Sequence, residues 1–190
     1  MKVYLSIDLD YWCLSGSPDP FFRRVFKLGL PIFVAPFHDQ LLPKINESGC
    51  DTVINVDYHS DMVDYPLPAE MMNECCLTEG SWANFIRWKD TGRFIWRYPS
   101  EVHHTDGYCH TDYNPFADPC HCGWKSTEMS EGLVGVPWRK IEAIGVCLST
   151  DWLRKAPIEP ITNRLGIQKW TRMSLQDQRV NAQPFFYTGA

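Results

Sequence analysis

Residues 55 to 61 read Asn-Val-Asp-Tyr-His-Ser-Asp and put three metal-capable side chains, Asp57, His59 and Asp61, at alternate positions. They follow an apolar, β-branched run, Thr52-Val53-Ile54. A strand sends alternate side chains to one face, so a chain that stays extended past Val56 would bring two carboxylates and an imidazole to one point. Carboxylate oxygens suit hard divalent cations, and imidazole adds a borderline character that favours Mn, Fe, Co or Zn. A solvated loop after a strand is the plainer reading of one such triplet. A second cluster argues against it. Val3-Tyr4-Leu5-Ser6-Ile7-Asp8-Leu9-Asp10 is another short apolar strand that ends in carboxylates at i and i+2. Asp in such places also caps helices and turns. Two acidic strand ends in one small chain nevertheless match the rule that open α/β sheets bind ligands beyond the carboxyl ends of their strands. Those five side chains and one further histidine would hold two metal ions.

Strands are expected at 3–9, 31–35, 52–56, 93–96 and 141–148, where short runs are rich in β-branched and aromatic residues. Helical spacing of apolar residues marks Pro20 to Leu28, His38 to Asn46 and Ser81 to Lys89. Strands alternating with helices predict a mainly parallel sheet covered on both faces, a three-layer α/β/α domain spanning 1–190. Residues 98–138 break the rhythm and read as a long irregular insertion near the site, with room for a hairpin. A weak helical pattern surrounds Ile161 to Leu165. The aromatic group Pro184-Phe185-Phe186-Tyr187 is expected to pack on the body or on a second copy in a homo-oligomer.

At 190 residues one domain is the default, and a hydrophobic content of 44% suffices for a core. The formal charge of −5 argues against a nucleic-acid partner. No run of roughly 18 apolar residues suggests a membrane span, and the first residues turn acidic too soon for a signal peptide. A cytoplasmic protein is therefore expected. Eight cysteines would fit a secreted disulfide framework, which nothing at the start of the chain supports. Cys147 lies in an apolar strand pattern and reads as core. Cys109, His110, Cys120, His121 and Cys122 are a candidate zinc group, but lack the paired C-x-x-C knuckles of structural sites.

Ser6-Ile7-Asp8-Leu9-Asp10 resembles the S-x-D-x-D signature of the arginase/ureohydrolase superfamily, and Asp57-Tyr58-His59-Ser60-Asp61 its D-x-H-x-D signature. Pro36-Phe37-His38-Asp39-Gln40-Leu41-Leu42-Pro43 and Glu79-Gly80-Ser81-Trp82 resemble two further stretches of a small arginase-like family within it. That family includes peptide arginases of ribosomal peptide natural-product pathways. In those relatives the D-x-D strand comes last; here it comes first, as in a circular permutation. The resemblance covers about residues 1 to 100 and the strand near 141–151. It implies an arginase-like fold and two Mn²⁺ per chain. It implies hydrolysis of arginine side chains in a precursor peptide to ornithine, with release of urea.

Carried over residue by residue, the resemblance makes Asp8 and Asp57 bridging ligands. His38 and Asp61 would complete one metal, and Asp10 and His59 the other. His38 would otherwise be a surface histidine at a helix start. Asp61 would also act as a catalytic proton acceptor. Glu79, just before the 81–89 helix, is a candidate for proton shuttle or substrate orientation, with a helix cap as its alternative. Asp151, after the strand Ile144 to Leu148, is a candidate partner for the substrate guanidinium, since a carboxylate pairs with it in a bidentate fork. Asp64 reads as loop, and His103 and His104 are weaker shuttle candidates. Tyr108, Tyr113, Phe116 and Trp124 would line a peptide groove or pack within the long loop. The rival functions are another metal-dependent amidohydrolase or deacetylase on the same fold, a two-metal phosphoesterase, or a metal-binding module without catalysis.

Overall fold

A computed structural model of the chain describes residues 1–13, 16–61, 77–88, 92–99, 124–149, 158–170 and 173–189. Its strands are β1 (Val3–Asp8), β2 (Ile32–Ala35), β3 (Thr52–Val56), β4 (Gly92–Tyr98), β5 (Trp124–Glu131), β6 (Ile141–Cys147) and β7 (Phe185–Tyr187). The helices are α1 (Asp19–Lys27), α2 (Leu42–Ser48), α3 (Glu159–Arg164) and α4 (Leu175–Asn181). Single 3-10 turns run over Leu9–Trp12, His38–Leu41, Trp82–Phe85 and Trp138–Lys140.

The seven strands form one sheet in the order β5-β4-β3-β1-β6-β2-β7. Every pairing is parallel except that of β7 with β2, which is antiparallel. All residues of β1, β2 and β3 are buried. That is why these strands read as continuous apolar runs: a parallel sheet carries a layer on each face. On one face Val3, Leu5 and Ile7 pack with Phe21, Phe22 and Val25 of α1 and Ile161 of α3. On the other, Tyr4, Val53 and Phe94 pack with Leu41, Leu42 and Ile45 and with Trp82 and Ala83. The domain is thus a three-layer α/β/α sandwich. Because α1 and α2 lie on opposite faces, the chain reverses its winding around β1, the kind of switch point beyond whose strand ends open α/β sheets bind ligands.

Local chemistry sets the helix limits. Pro20 and Pro43 stand in the first turns of α1 and α2, where a missing N–H costs nothing. Gly49 ends α2 in the left-handed conformation, φ 65°.

Two expectations need correction. The irregular insertion expected at 98–138 contains β5, paired along β4 from Gly92–Trp124 to Tyr98–Glu131. Residues 100–123, with Cys109, His110, Cys120, His121, Cys122, His103, His104, Tyr108, Tyr113 and Phe116, lie outside the described residues. The helix expected over 81–89 is only the 3-10 turn Trp82–Phe85, because Ile86 leaves it extended (φ −66°, ψ 126°) to bury its side chain. The aromatic tail becomes an edge strand on the body: Phe185 meets Trp170, Phe186 meets Phe33 and Tyr187 meets Phe26. Among the described residues, no helix is long and apolar enough to cross a membrane.

Candidate metal centre

Six side chains gather beyond the carboxyl ends of the central strands. Asp8 is the last residue of β1, and Asp10 lies in the 3-10 turn that follows. Asp8 also caps this turn, accepting the Asp10 N–H on Oδ1 at 3.0 Å. The capping reading and the ligand reading of this aspartate are compatible, because Oδ2 remains directed at His38. Past the end of β2, His38 opens its own 3-10 turn. It is buried, with a side-chain exposure of 1%, rather than at the surface. Asp57, His59 and Asp61 follow β3.

The last three do not converge by strand alternation. The chain bends after Val56, and Asp61 takes a left-handed backbone, φ 55°. Asp57 therefore stands in the middle, His59 turns one way and Asp61 the other. His38, Asp57 and Asp61 form one cluster of potential ligand atoms, and Asp10, Asp57 and His59 a second. Asp57 belongs to both. Asp8 joins the first through His38, whose Nδ1 is 3.1 Å from Asp8 Oδ2, 3.1 Å from Asp57 Oδ2 and 2.8 Å from Asp61 Oδ2. In the second cluster His59 Nδ1 is 3.0 Å from Asp10 Oδ2.

Two observations show that this donor set fits cations. Four carboxylates face two imidazoles in a buried space, and buried charge is costly unless it is compensated. Moreover, His38 Nδ1 lies within 3.1 Å of three carboxylate oxygens but meets none at hydrogen-bonding angles. A nitrogen lone pair and three oxygens aimed at one space are the donor set of a divalent ion.

The electrostatics agree. Burial, then the Asp61 and Asp8 charges, push the Asp57 carboxyl up to about 7. Burial, followed by the Asp8 and Asp57 charges, holds the Asp10 carboxyl well above the usual range. Burial would do the same to Asp8, but the close approach of His38 Nδ1 and its charge bring that carboxyl below its ordinary value. Burial would lower His38, yet the Asp61 charge and contacts with Asp57, Asp61 and Asp8 raise it well above 6.5. For His59 burial is likewise outweighed, chiefly by the Asp10 hydrogen bond, and the imidazole rises to about 9. Without metal, the cluster keeps protons where a cation would otherwise supply the positive charge.

Neighbours hold the six side chains in place. Ser6 Oγ is 2.7 Å from His38 Nε2. Asn55 Nδ2 donates to Asp57 Oδ2 at 3.0 Å, and the His59 N–H donates to Asp57 Oδ1 at 2.8 Å. The Tyr58 N–H donates to Asp10 Oδ1 at 3.3 Å. Trp96 Nε1–H donates to the Asp57 carbonyl at 3.0 Å, and Trp82 Nε1–H to Asp61 Oδ2 at 2.5 Å. Ser149 helps to lower the Asp8 carboxyl and has a left-handed backbone, φ 47°. Asp61 and Ser149 are the described non-glycine residues with positive φ, and both stand at the cluster. Cys147, read from sequence as core, is buried beside the site, with Asp8 and His38 as close neighbours.

Sequence reasoning did not assign Ser6, Asn55, Ser149 or Trp82 a supporting role. Ser6 had a legible signal, being two residues before Asp8 on an alternating strand. The structure does not bring Glu79 into the cluster. Its carboxylate pairs with Arg179 of α4 at 3.3 Å, and that guanidinium lies 4.2 Å above the Phe37 ring. Asp151 and Asp64 lie outside the described residues, and Trp124 is described only as the first residue of β5. Comparisons with protein-family models, curated proteins and solved structures find no match, so the functional reading rests on the residues and their geometry.

Proposed function

We propose that the chain is a dinuclear-metal hydrolase with an arginase-like fold. It cleaves the guanidine C–N bond of peptidyl-arginine in a ribosomally made precursor peptide, leaving ornithine and urea. The observation that carries this reading is the pair of overlapping Asp/His clusters joined by Asp57 at the strand ends. Asp8 and Asp57 would hold two ions together. His38 and Asp61 would complete one coordination sphere, and Asp10 and His59 the other. Mn²⁺ suits this mixture of four carboxylates and two imidazoles. When bound, the ions supply Lewis acidity: they activate water at neutral pH and stabilise the negative charge that develops on attack.

The chain's own residues do the rest. His59 is the most open of the six, with a side-chain exposure of 36% against 1% for His38, so substrate approaches from the His59 side. The opposite side is closed by Trp82, which keeps bulk water out. Asp61 has one oxygen committed to Trp82, and Oδ1 is the one that takes a proton from the attacking water and returns it to the leaving amine. Glu79 pairs with Arg179 outside the two clusters.

Incubating the Mn-loaded protein with arginine-containing peptides, followed by mass spectrometry, tests the reading. The expected product is lighter by CH2N2 for each arginine converted, with urea in equal amount. No such shift, with two Mn²⁺ bound and free arginine also untouched, would overturn it.

A further inference from the structure

Trp82 touches both side chains of the first cluster that the second does not share, His38 and Asp61. Its indole lies against the His38 imidazole, with ring centroids 4.5 Å apart and planes inclined by 29°. Its N–H donates to Asp61 Oδ2 at 2.5 Å. The next residue continues the grip, since the Ala83 N–H donates to the Asp61 carbonyl at 3.3 Å. That backbone bond steadies Asp61 in its left-handed conformation, φ 55°, where an aspartate is costly to hold. Trp82 is fully buried, and its far side meets Phe94 edge-on.

The Asp10, Asp57 and His59 cluster is held by other contacts. It uses the His59–Asp10 pair and the backbone N–H groups of Tyr58 and His59. It also uses Asn55 and the Trp96 indole.

We infer that Trp82 is the positioning residue for the His38/Asp61 half of the centre, and that the Asp10/His59 half assembles without it. This rests on the two-metal reading above. A large core aromatic explains the burial of Trp82 but not the direction of its N–H or its near-parallel stacking on a ligand imidazole. The choice of indole has a chemical logic. It donates one hydrogen bond and accepts none, so it fixes a carboxylate without competing for the cation. It also does not ionise over the working pH range, so the restraint is the same whether the cluster is protonated or metal-loaded.

The test is a Mn²⁺ titration of metal-free wild type and Trp82→Phe, followed by calorimetry and by electron paramagnetic resonance. Phe keeps a flat ring against His38 and removes the donor. Wild type is expected to take two ions and show the spectrum of a spin-coupled pair. Trp82→Phe is expected to bind one ion with unchanged affinity and the second about 10–100-fold more weakly, as for other outer-sphere partners. Uncoupled single-ion signal then persists at concentrations that saturate the wild type. Should Trp82→Phe fail to fold, the benzothienyl isostere of tryptophan, which exchanges only N–H for sulfur, is read in the same way.

Two tightly bound, coupled ions in these variants would overturn the inference. So would loss of both ions from a variant that remains folded. A wild type that binds fewer than two ions overturns the two-metal reading itself and is recognised before any variant is made.

Discussion

At the scale of single residues, most of the centre is held by side chains that would not touch a metal. Ser6 is the clearest case. If His38 presents Nδ1 to a cation, its proton sits on Nε2 and is donated to Ser6 Oγ, fixing the tautomer and the ring orientation. Ser6→Ala leaves that buried N–H without a partner, at about 1–3 kcal/mol of stability. It should also weaken Mn²⁺ binding by roughly 10–100-fold. Thermal unfolding and a metal titration of this variant measure both, and unchanged affinity would remove Ser6 from the site. Five of the six clustered side chains were legible because period-two spacing next to apolar runs survives in the sequence as Asp8/Asp10 and Asp57/His59/Asp61. His38 needed the resemblance, since a lone histidine before Leu41-Leu42 has no local signature. The Trp82–Asp61 contact was not legible: it spans 21 residues and depends on a positive φ at a non-glycine position that no spacing rule reports.

At the scale of elements, the site depends on how closely the 38–41 turn sits on the sheet. Gly145 of β6 permits that approach. A Cβ there would come within 2.5 Å of Tyr4 Oη and 3.1 Å of Leu41 Cδ1. Gly145→Ala should therefore overpack the layer and cost about 1–3 kcal/mol. By displacing Leu41 it should also weaken the half of the centre that contains His38. Chemical denaturation together with Mn²⁺ binding checks this. Full stability and normal affinity would show that the layer relaxes without moving the turn. The strands expected from apolar runs match β1, β2, β3, β4 and β6 closely, because burial on both faces enriches them in Val, Ile and Phe. β5 escaped notice because Lys125, Ser126, Thr127, Glu128, Ser130 and Glu131 leave no apolar run. Such a composition belongs to an edge strand, where charge discourages pairing with another chain. The short turn over Trp82–Phe85 has helical spacing for four residues only, and spacing does not report where a helix stops.

At the scale of the whole molecule, the centre ties folding stability to bound protons when no cation is present. The Asp57 carboxyl rises from 3.8 to about 7 on folding and the His59 imidazole from 6.5 to about 9. Both bind protons more tightly in the folded state. Their stabilising contributions are complete below the unfolded values and are lost as pH rises through the folded ones. Asp8, whose carboxyl is lowered, contributes in the opposite sense, losing stability as pH falls through its folded value. Metal-free protein should therefore show a melting temperature that declines from about pH 4 to about pH 9. Mn²⁺ must displace those protons, so the stabilisation it confers should grow over the same window. Differential scanning fluorimetry with and without chelator reads both trends. A metal-free melting temperature that climbs towards alkaline pH would contradict the charge balance described here.

The antiparallel pairing of Phe185–Tyr187 with Ile32–Val34 has a practical corollary. β2 leads directly to His38, and this short C-terminal ribbon saturates the backbone on its outer flank. Removing residues 185–187 would uncover a row of peptide groups beside the candidate metal centre, able to recruit a foreign strand.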